Sequence, residues 1–387
     1  MSINHVSYSY VHLGLLTVAT LACLLSLPPR SLRKKGITCR SNLPADMEKW
    51  RNVEDEEYDV TWDELRPLLE QHGFRLWRRG PGYQAQDGAH TPCDNFLFLT
   101  TDKIRNISLV RWNSFLSLNG LSHAARSVNA KRDVILRVLT AGGQGQAHLR
   151  IIRRLSSPPD ILMSNNHILP LIHEIVYQDI VILAFPKLVV NLHESLDADK
   201  ANTVEDILHM VVQAFEGVAY LHRNLIGHRK DLFLNNIMVE WMPTSLQVRT
   251  MTRPRVYIID FETAVDFAED SANSERLCLE HPFGPEDYGR QIAPELNGEI
   301  QPYCPFKLDM WQLGSNLNNH FRTGTLELDQ FWSCMAAPAP KDRTTADDAL
   351  AFLDGYLRRT PPSELHRPIP YIIRPMQQFK QSHFTPA

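Results

Sequence analysis

The stretch Asp231-Leu-Phe-Leu-Asn-Asn236 places a carboxylate five residues before an amide, and Asp260-Phe261 follows at the end of the next apolar strand. All three polar side chains offer oxygen, the hard donor that magnesium prefers. Phosphoryl transfer requires a carboxylate to orient an attacking hydroxyl and further oxygens to hold the metal against the phosphates. In that chemistry Asp231 is the catalytic residue, and Asn236 and Asp260 are the metal ligands. Taken singly, an Asp and an Asn at this spacing more often mark a turn, and an Asp after a strand more often caps a helix. The order and the setting of the three carry the weight.

That setting follows from the residues around them. Val204, Ile207, Leu208, Val211, Val212, Phe215, Val218 and Ala219 recur at three- and four-residue steps, which predicts one buried face of a long helix just before the candidate loop. Ile237–Trp241 and Arg255–Ile259 read as two strands joined by a polar loop carrying Pro243. Between Phe74 and Leu139 the texture is short β-like runs, including Asn95–Leu99 and Val134–Val138, broken by Gly, Pro and Asn. His148–Leu155 reads as helix and Ile180–Phe185 as strand. Upstream, Glu54–Glu57 reads as a solvated lead-in, and Thr61 with Glu64 as the capping box of a short helix closed by Gly73. A sheet-rich part thus precedes a helix-rich part, an α+β chain with the candidate hairpin where they meet.

Composition narrows the function classes. The chain has 387 residues, 43% hydrophobic and 22% charged, which suits a folded protein rather than a mainly disordered one. A net charge of −4, with Lys and Arg scattered, supplies no basic stripe, so nucleic acid is not expected as a partner. The six cysteines lie far apart with no CxxC pair, which suits a reducing compartment. Residues 11–27 form an apolar run slightly short of the ~20 that span a bilayer, followed by Arg30, Arg33, Lys34, Lys35 and Arg40. The run reads as a membrane anchor that leaves the bulk cytoplasmic, or equally as a targeting segment or a start codon placed too early. The expected organisation is residues 1–50 as hydrophobic segment and basic linker, 51–94 as lead-in helix and loop, 95–360 as the main domain, and 361–387 as a tail.

Tyr220-Leu-His222, Asp231-x4-Asn236, Asp260-Phe261, Ala293-Pro-Glu295, Asp309-Met-Trp-Gln-Leu-Gly314 and Arg343 occur in the order in which the eukaryotic protein kinase family carries its motifs. Over about residues 95–355 the sequence resembles that family, and within it the diverged kinase-like proteins of mushroom-forming fungi. The resemblance implies a bilobal fold, with a small β-rich lobe and a larger helical lobe, and ATP and Mg2+ as cofactors. It implies a serine/threonine-type phosphotransferase acting on an unidentified protein substrate or partner. It places Arg137 at the phosphate-contacting position of the third strand, and Lys187 and Leu188 in the hinge that would meet the adenine. It pairs Glu295 with Arg343 and makes Asp309 the brace of the catalytic-loop backbone.

Several residues depart from the family pattern. Arg137 stands where the family has lysine, and a planar guanidinium does not substitute for a compact ammonium. His148 stands where the lysine's glutamate partner would be, which predicts that the ion pair is lost. No G-x-G-x-x-G precedes Arg137, Asn119-Gly120 being only a turn, and Glu262 replaces the glycine after Asp260-Phe261. Counting from His222 puts the family's His-Arg-Asp on His228-Arg229-Lys230, whereas counting back from Asn236 selects Asp231, the register preferred here. Phe233 falls where serine/threonine kinases carry lysine. These departures support an alternative reading as a pseudokinase that binds partners. A small-molecule kinase of the choline or aminoglycoside type is a third reading, disfavoured by Ala-Pro-Glu295 and Asp309-x-Trp311.

Overall fold

The computed structural model describes residues 38–79, 84–86, 114–129, 132–188, 190–197, 202–229, 231–240, 254–279, 291–297 and 301–370. The expected anchor at residues 11–27, the strand at Asn95–Leu99, the loop at Pro243 and Lys230 lie outside them. Two helices open the described chain, α1 (Met47–Arg51) and α2 (Asp55–Gln71). The capping box expected at Thr61 is corrected here, because α2 begins six residues earlier and buries Thr61 in its interior. Asp55, Glu56 and Glu57 are its first turn, where carboxylates meet the positive end of the helix dipole. That favourable start and the burial of Tyr58, Trp62, Leu65 and Leu69 outweigh Pro67, which costs one backbone donor. After α2 the chain reverses at Gly73, whose φ of +80° suits glycine.

A five-stranded antiparallel sheet follows, in the order β1 (Phe74–Leu76), β5 (Ser122–Ser127), β6 (Arg132–Thr140), β8 (Ile180–Pro186) and β7 (His173–Tyr177). It curls far enough that Phe74, at one edge, lies 5.6 Å from the His173 ring at the other. The short strands β2 (Arg78–Arg79), β3 (Gln84–Gln86) and β4 (Ser114–Leu116) form a separate sheet. Alternation along β6 sends Val134, Leu136 and Val138 into a core shared with α1 and α2, while Asp133, Ile135 and Arg137 project from the opposite face. Phe74–Leu76, drawn from the expected lead-in, is therefore an outer strand of the sheet, and the lead-in helices cover one of its faces.

α3 (Gln146–Leu155) and the helices α4 (Val204–Arg223), α5 (Pro305–His320), α6 (Leu326–Met335) and α7 (Ala346–Arg359) share a second core that also takes in Leu139 and Leu183 of the sheet. α4 is the long helix that the periodicity predicts, and Thr203 and Asp206 cap it reciprocally. β11 (Ile237–Glu240) and β12 (Arg255–Ile258) pair antiparallel, with β9 (Val190–Asn191) beside them, and β10 (Ile226–Gly227) pairs with β13 (Val265–Asp266). The architecture is mixed α+β, a curled antiparallel sheet with several helices. Among the described residues no helix is long and apolar enough to cross a membrane.

Candidate active site

The β11–β12 ladder pairs Ile237 with Ile258 and carries on one step further, where the Ile259 N–H donates to the Asn236 carbonyl at 3.0 Å. Asn236 is thereby fixed beside the residue that precedes Asp260. Its side-chain Nδ2 donates to the Asp231 carbonyl at 2.9 Å, and the Phe233 N–H donates to the same oxygen at 2.9 Å. Asp231, Asn236 and Asp260 thus belong to one hairpin, held by backbone geometry rather than by one another's charge. Because Nδ2 is engaged, the amide oxygen of Asn236 is the end left to meet a ligand. Asp260 adopts a left-handed conformation (φ 64°, ψ 63°), which a short polar residue tolerates better than most.

The loop before the hairpin is braced from beneath. Asp309 is buried on α5 and accepts from the His228 and Arg229 backbone N–H groups at 2.8 Å each, and it lies 3.0 Å from His222 Nε2. One helical turn further on, the Gln312 side chain accepts from the Leu232 N–H at 3.1 Å, and Asn316 accepts from the Leu234 N–H at 3.4 Å. The steps of three and four residues set Asp309, Gln312 and Asn316 on one face of α5, so one helix supplies acceptors along the whole loop. Asp309 thus braces the backbone of this loop. Gln312 and Asn316 were missed, although with Asp309 they fall at helical spacing in the sequence. From above, His228 lies 2.9 Å from the Ile259 carbonyl through Nε2 and packs on Phe261.

A second anchor joins Glu295 to Arg343. Arg343 Nη1 and Nη2 each donate to one Glu295 oxygen at 2.6 Å, and its remaining donors reach the carbonyls of Ala337, Lys307 and Pro338. All five N–H groups of a fully buried guanidinium are therefore satisfied. The expected pairing is present.

The opposite side of the hairpin is built from side-chain charge. Arg137 Nη2 on β6 donates to Asp260 Oδ1 at 2.8 Å and to Glu262 Oε2 at 3.0 Å. Glu262 Oε1 in turn accepts from Arg51 Nη2 at the end of α1. The ion pair with α3 is absent, as expected with His148 there, and Glu262 and Asp260 supply Arg137 with carboxylates instead. His148 lies buried nearby on α3, and burial, reinforced by the Arg137 charge, lowers its pKa to about 3, so the imidazole is neutral. Burial and the same neighbouring charge also pull the Arg51 pKa below its usual value. Sequence reasoning treated Glu262 only as a backbone restriction and did not single out Arg51.

At the expected hinge, Phe185 and Pro186 remain in the ladder opposite Ile135 and Val134, and the Lys187 N–H donates to the Asp133 carbonyl at 3.1 Å. The Lys187 ammonium lies 5.1 Å from the centre of the Trp77 ring, a cation–π contact, while Leu188 is half-buried. Lys187, expected to line the adenine end, thus faces an indole of the chain itself.

Among the described residues, no cluster of three or more His, Cys, Asp or Glu side chains is placed to hold a metal. The oxygen-bearing side chains at the hairpin are those of Asp231, Asn236 and Asp260, hard donors of the kind magnesium takes. No family model matches the chain, and no curated protein matches it closely enough to count as a relative.

Proposed function

We propose that the chain is a protein-kinase-like domain that binds ATP with Mg2+ and transfers phosphate, slowly, to serine or threonine of a protein partner. The observation that carries this reading is the single hairpin holding Asp231, Asn236 and Asp260, braced from α5 and facing a curled antiparallel sheet whose Arg137 reaches Asp260. The strand order of that sheet, the helix beside it and the helical remainder agree with a small lobe and a large one. In this reading Asn236 and Asp260 hold the metal, and Asp231 accepts the hydroxyl proton as the attacking oxygen bonds to the γ-phosphorus and the bond to ADP breaks. Arg137 faces the phosphates, and the segment at Lys187 and Leu188 faces the adenine. A cytoplasmic domain anchored through residues 11–27 belongs to the same proposal, supported by the basic residues that follow that run.

The pseudokinase reading has its own supporting observation. Arg137 is engaged by Asp260 and Glu262, and Lys187 by Trp77, so both cations expected to meet nucleotide are occupied within the chain. Thermal stabilisation by ATP, measured with and without magnesium alongside autophosphorylation, separates the two. A magnesium-dependent rise in melting temperature that Asp260→Asn abolishes, together with phosphate incorporation, is the expected result. Nucleotide binding without incorporation, or none at all, selects the pseudokinase.

A further inference from the structure

We infer that Arg51 and Arg137 form a paired guanidinium site for the phosphate groups of a nucleoside triphosphate, with Glu262 holding the place of the phosphate until the ligand arrives. The inference rests on the nucleotide-binding reading above and adds to it a residue from outside the expected domain.

The two guanidinium groups come from elements far apart in sequence and converge on one carboxylate, each donating to a different oxygen of Glu262. Planar forks that share an anion in this way match the spread oxygens of phosphate as well as those of a carboxylate. Arg137 simultaneously reaches Asp260, the residue assigned to the metal, so the paired cations adjoin the place where magnesium would bridge to phosphate oxygens. Arg51 Nε is buried without a hydrogen-bond partner, so its fork has donor capacity that Glu262 does not use.

The turn before β5 is pinned under the first two helices. Trp62 Nε1 donates to the Gly120 carbonyl at 3.0 Å, and the Tyr58 hydroxyl donates to the Ser122 carbonyl at 2.7 Å. A Cβ at Gly120 would come within 2.5 Å of the Trp50 carbonyl, so even a methyl group would force the helix and the turn apart. The helix end that pins the turn is the one that delivers the next residue, Arg51, to Glu262. In this proposal the two guanidinium groups do the work that backbone amides of a glycine-rich loop do in the family the sequence resembles.

The test is calorimetric binding of inorganic tripolyphosphate, ATP with Mg2+, and adenosine to the full chain, for the parent and for Arg51→Gln, Arg137→Gln, Glu262→Gln and Asp260→Asn. Unliganded melting curves verify that each variant folds, and Arg51→Lys stands in if Arg51→Gln does not. Tripolyphosphate affinity should fall at least tenfold in each arginine variant and rise several-fold in Glu262→Gln, which removes the internal competitor. Adenosine binding should be unchanged. A merely structural Arg51 would lower the melting temperature and leave tripolyphosphate affinity as in the parent, which overturns the inference. So does a parent that binds no tripolyphosphate at millimolar concentration. If Arg51 proves dispensable while Mg-ATP binding still requires Asp260, the inference falls and the nucleotide reading stands. If tripolyphosphate binding follows both arginines while ATP binds no more tightly and ignores Asp260, the paired site stands as a polyphosphate site and the nucleotide reading falls.

Discussion

The two sides of the candidate hairpin are held by different physics. Beneath it, Asp309, Gln312 and Asn316 accept from backbone N–H groups, and Arg343 spends every donor it has in a dry site. Above it, Arg51, Arg137, Asp260 and Glu262 form a chain of partly exposed ion pairs between elements that share no ladder. Buried hydrogen bonds to backbone leave few alternative arrangements, because an abandoned partner goes unsatisfied. Partly solvated ion pairs exchange partners at little cost. The first side fixes where the loop lies, and the second can give way to a ligand.

The sharpest way to break this contrast is Arg343→Ala. It strands Glu295 and three carbonyls in a buried place, and loss of one partner of such a pair costs about 3–5 kcal/mol. Urea unfolding should show that loss, while Arg51→Gln should cost less than about 1 kcal/mol. Equal costs would erase the distinction. A second effect is expected from pH. The His148 pKa of about 3 in the folded chain lies below its ordinary 6.5, so between those values the unfolded chain binds the extra proton. Stability should therefore fall as pH drops from about 6.5 towards 3, by up to about 1.4 kcal/mol per pH unit. Arg137, His228 and Arg51 oppose the charged imidazole, and Asp260 favours it. Replacing His148 by Leu should remove that component of the pH slope, and an unchanged slope would mean that His148 is not the group involved. The smallest effect belongs to Lys187→Met, which keeps the aliphatic stem and removes only the cation over Trp77. It should cost about 0.5–1 kcal/mol by thermal unfolding, and a larger loss would make the Trp77 contact part of the rigid side.

The same contrast decides what could be read from the sequence. The long helix α4 was visible because its apolar residues keep helical period from Val204 to Ala219, and β6 because Val134, Leu136 and Val138 alternate. Asp309 with its loop, and Glu295 with Arg343, were legible because each falls in the motif order of the family the sequence resembles. Arg51 and Glu262 lie 211 residues apart, and nothing local marks either for the other. Thr61 and Glu64 have the spacing of a capping box, but buried aromatics on both sides of Thr61 carry the helix through it. A charge pair outside any motif, such as Arg51 with Glu262, leaves no local pattern.

The outer strand Phe74–Leu76 has one practical consequence. A shortened protein begun at residue 95, where the resemblance starts, would lack that strand together with α1 and α2. Ser122–Ser127 would become a bare sheet edge with its backbone donors and acceptors unpaired on one side. Leu121, Ala125, Val134 and Leu136 would lose the Tyr58, Trp62, Leu65 and Leu69 cover and face water. An open edge beside an uncovered apolar face is a template for self-association, so such a fragment should aggregate on expression, whereas one begun before Met47 should remain dispersed.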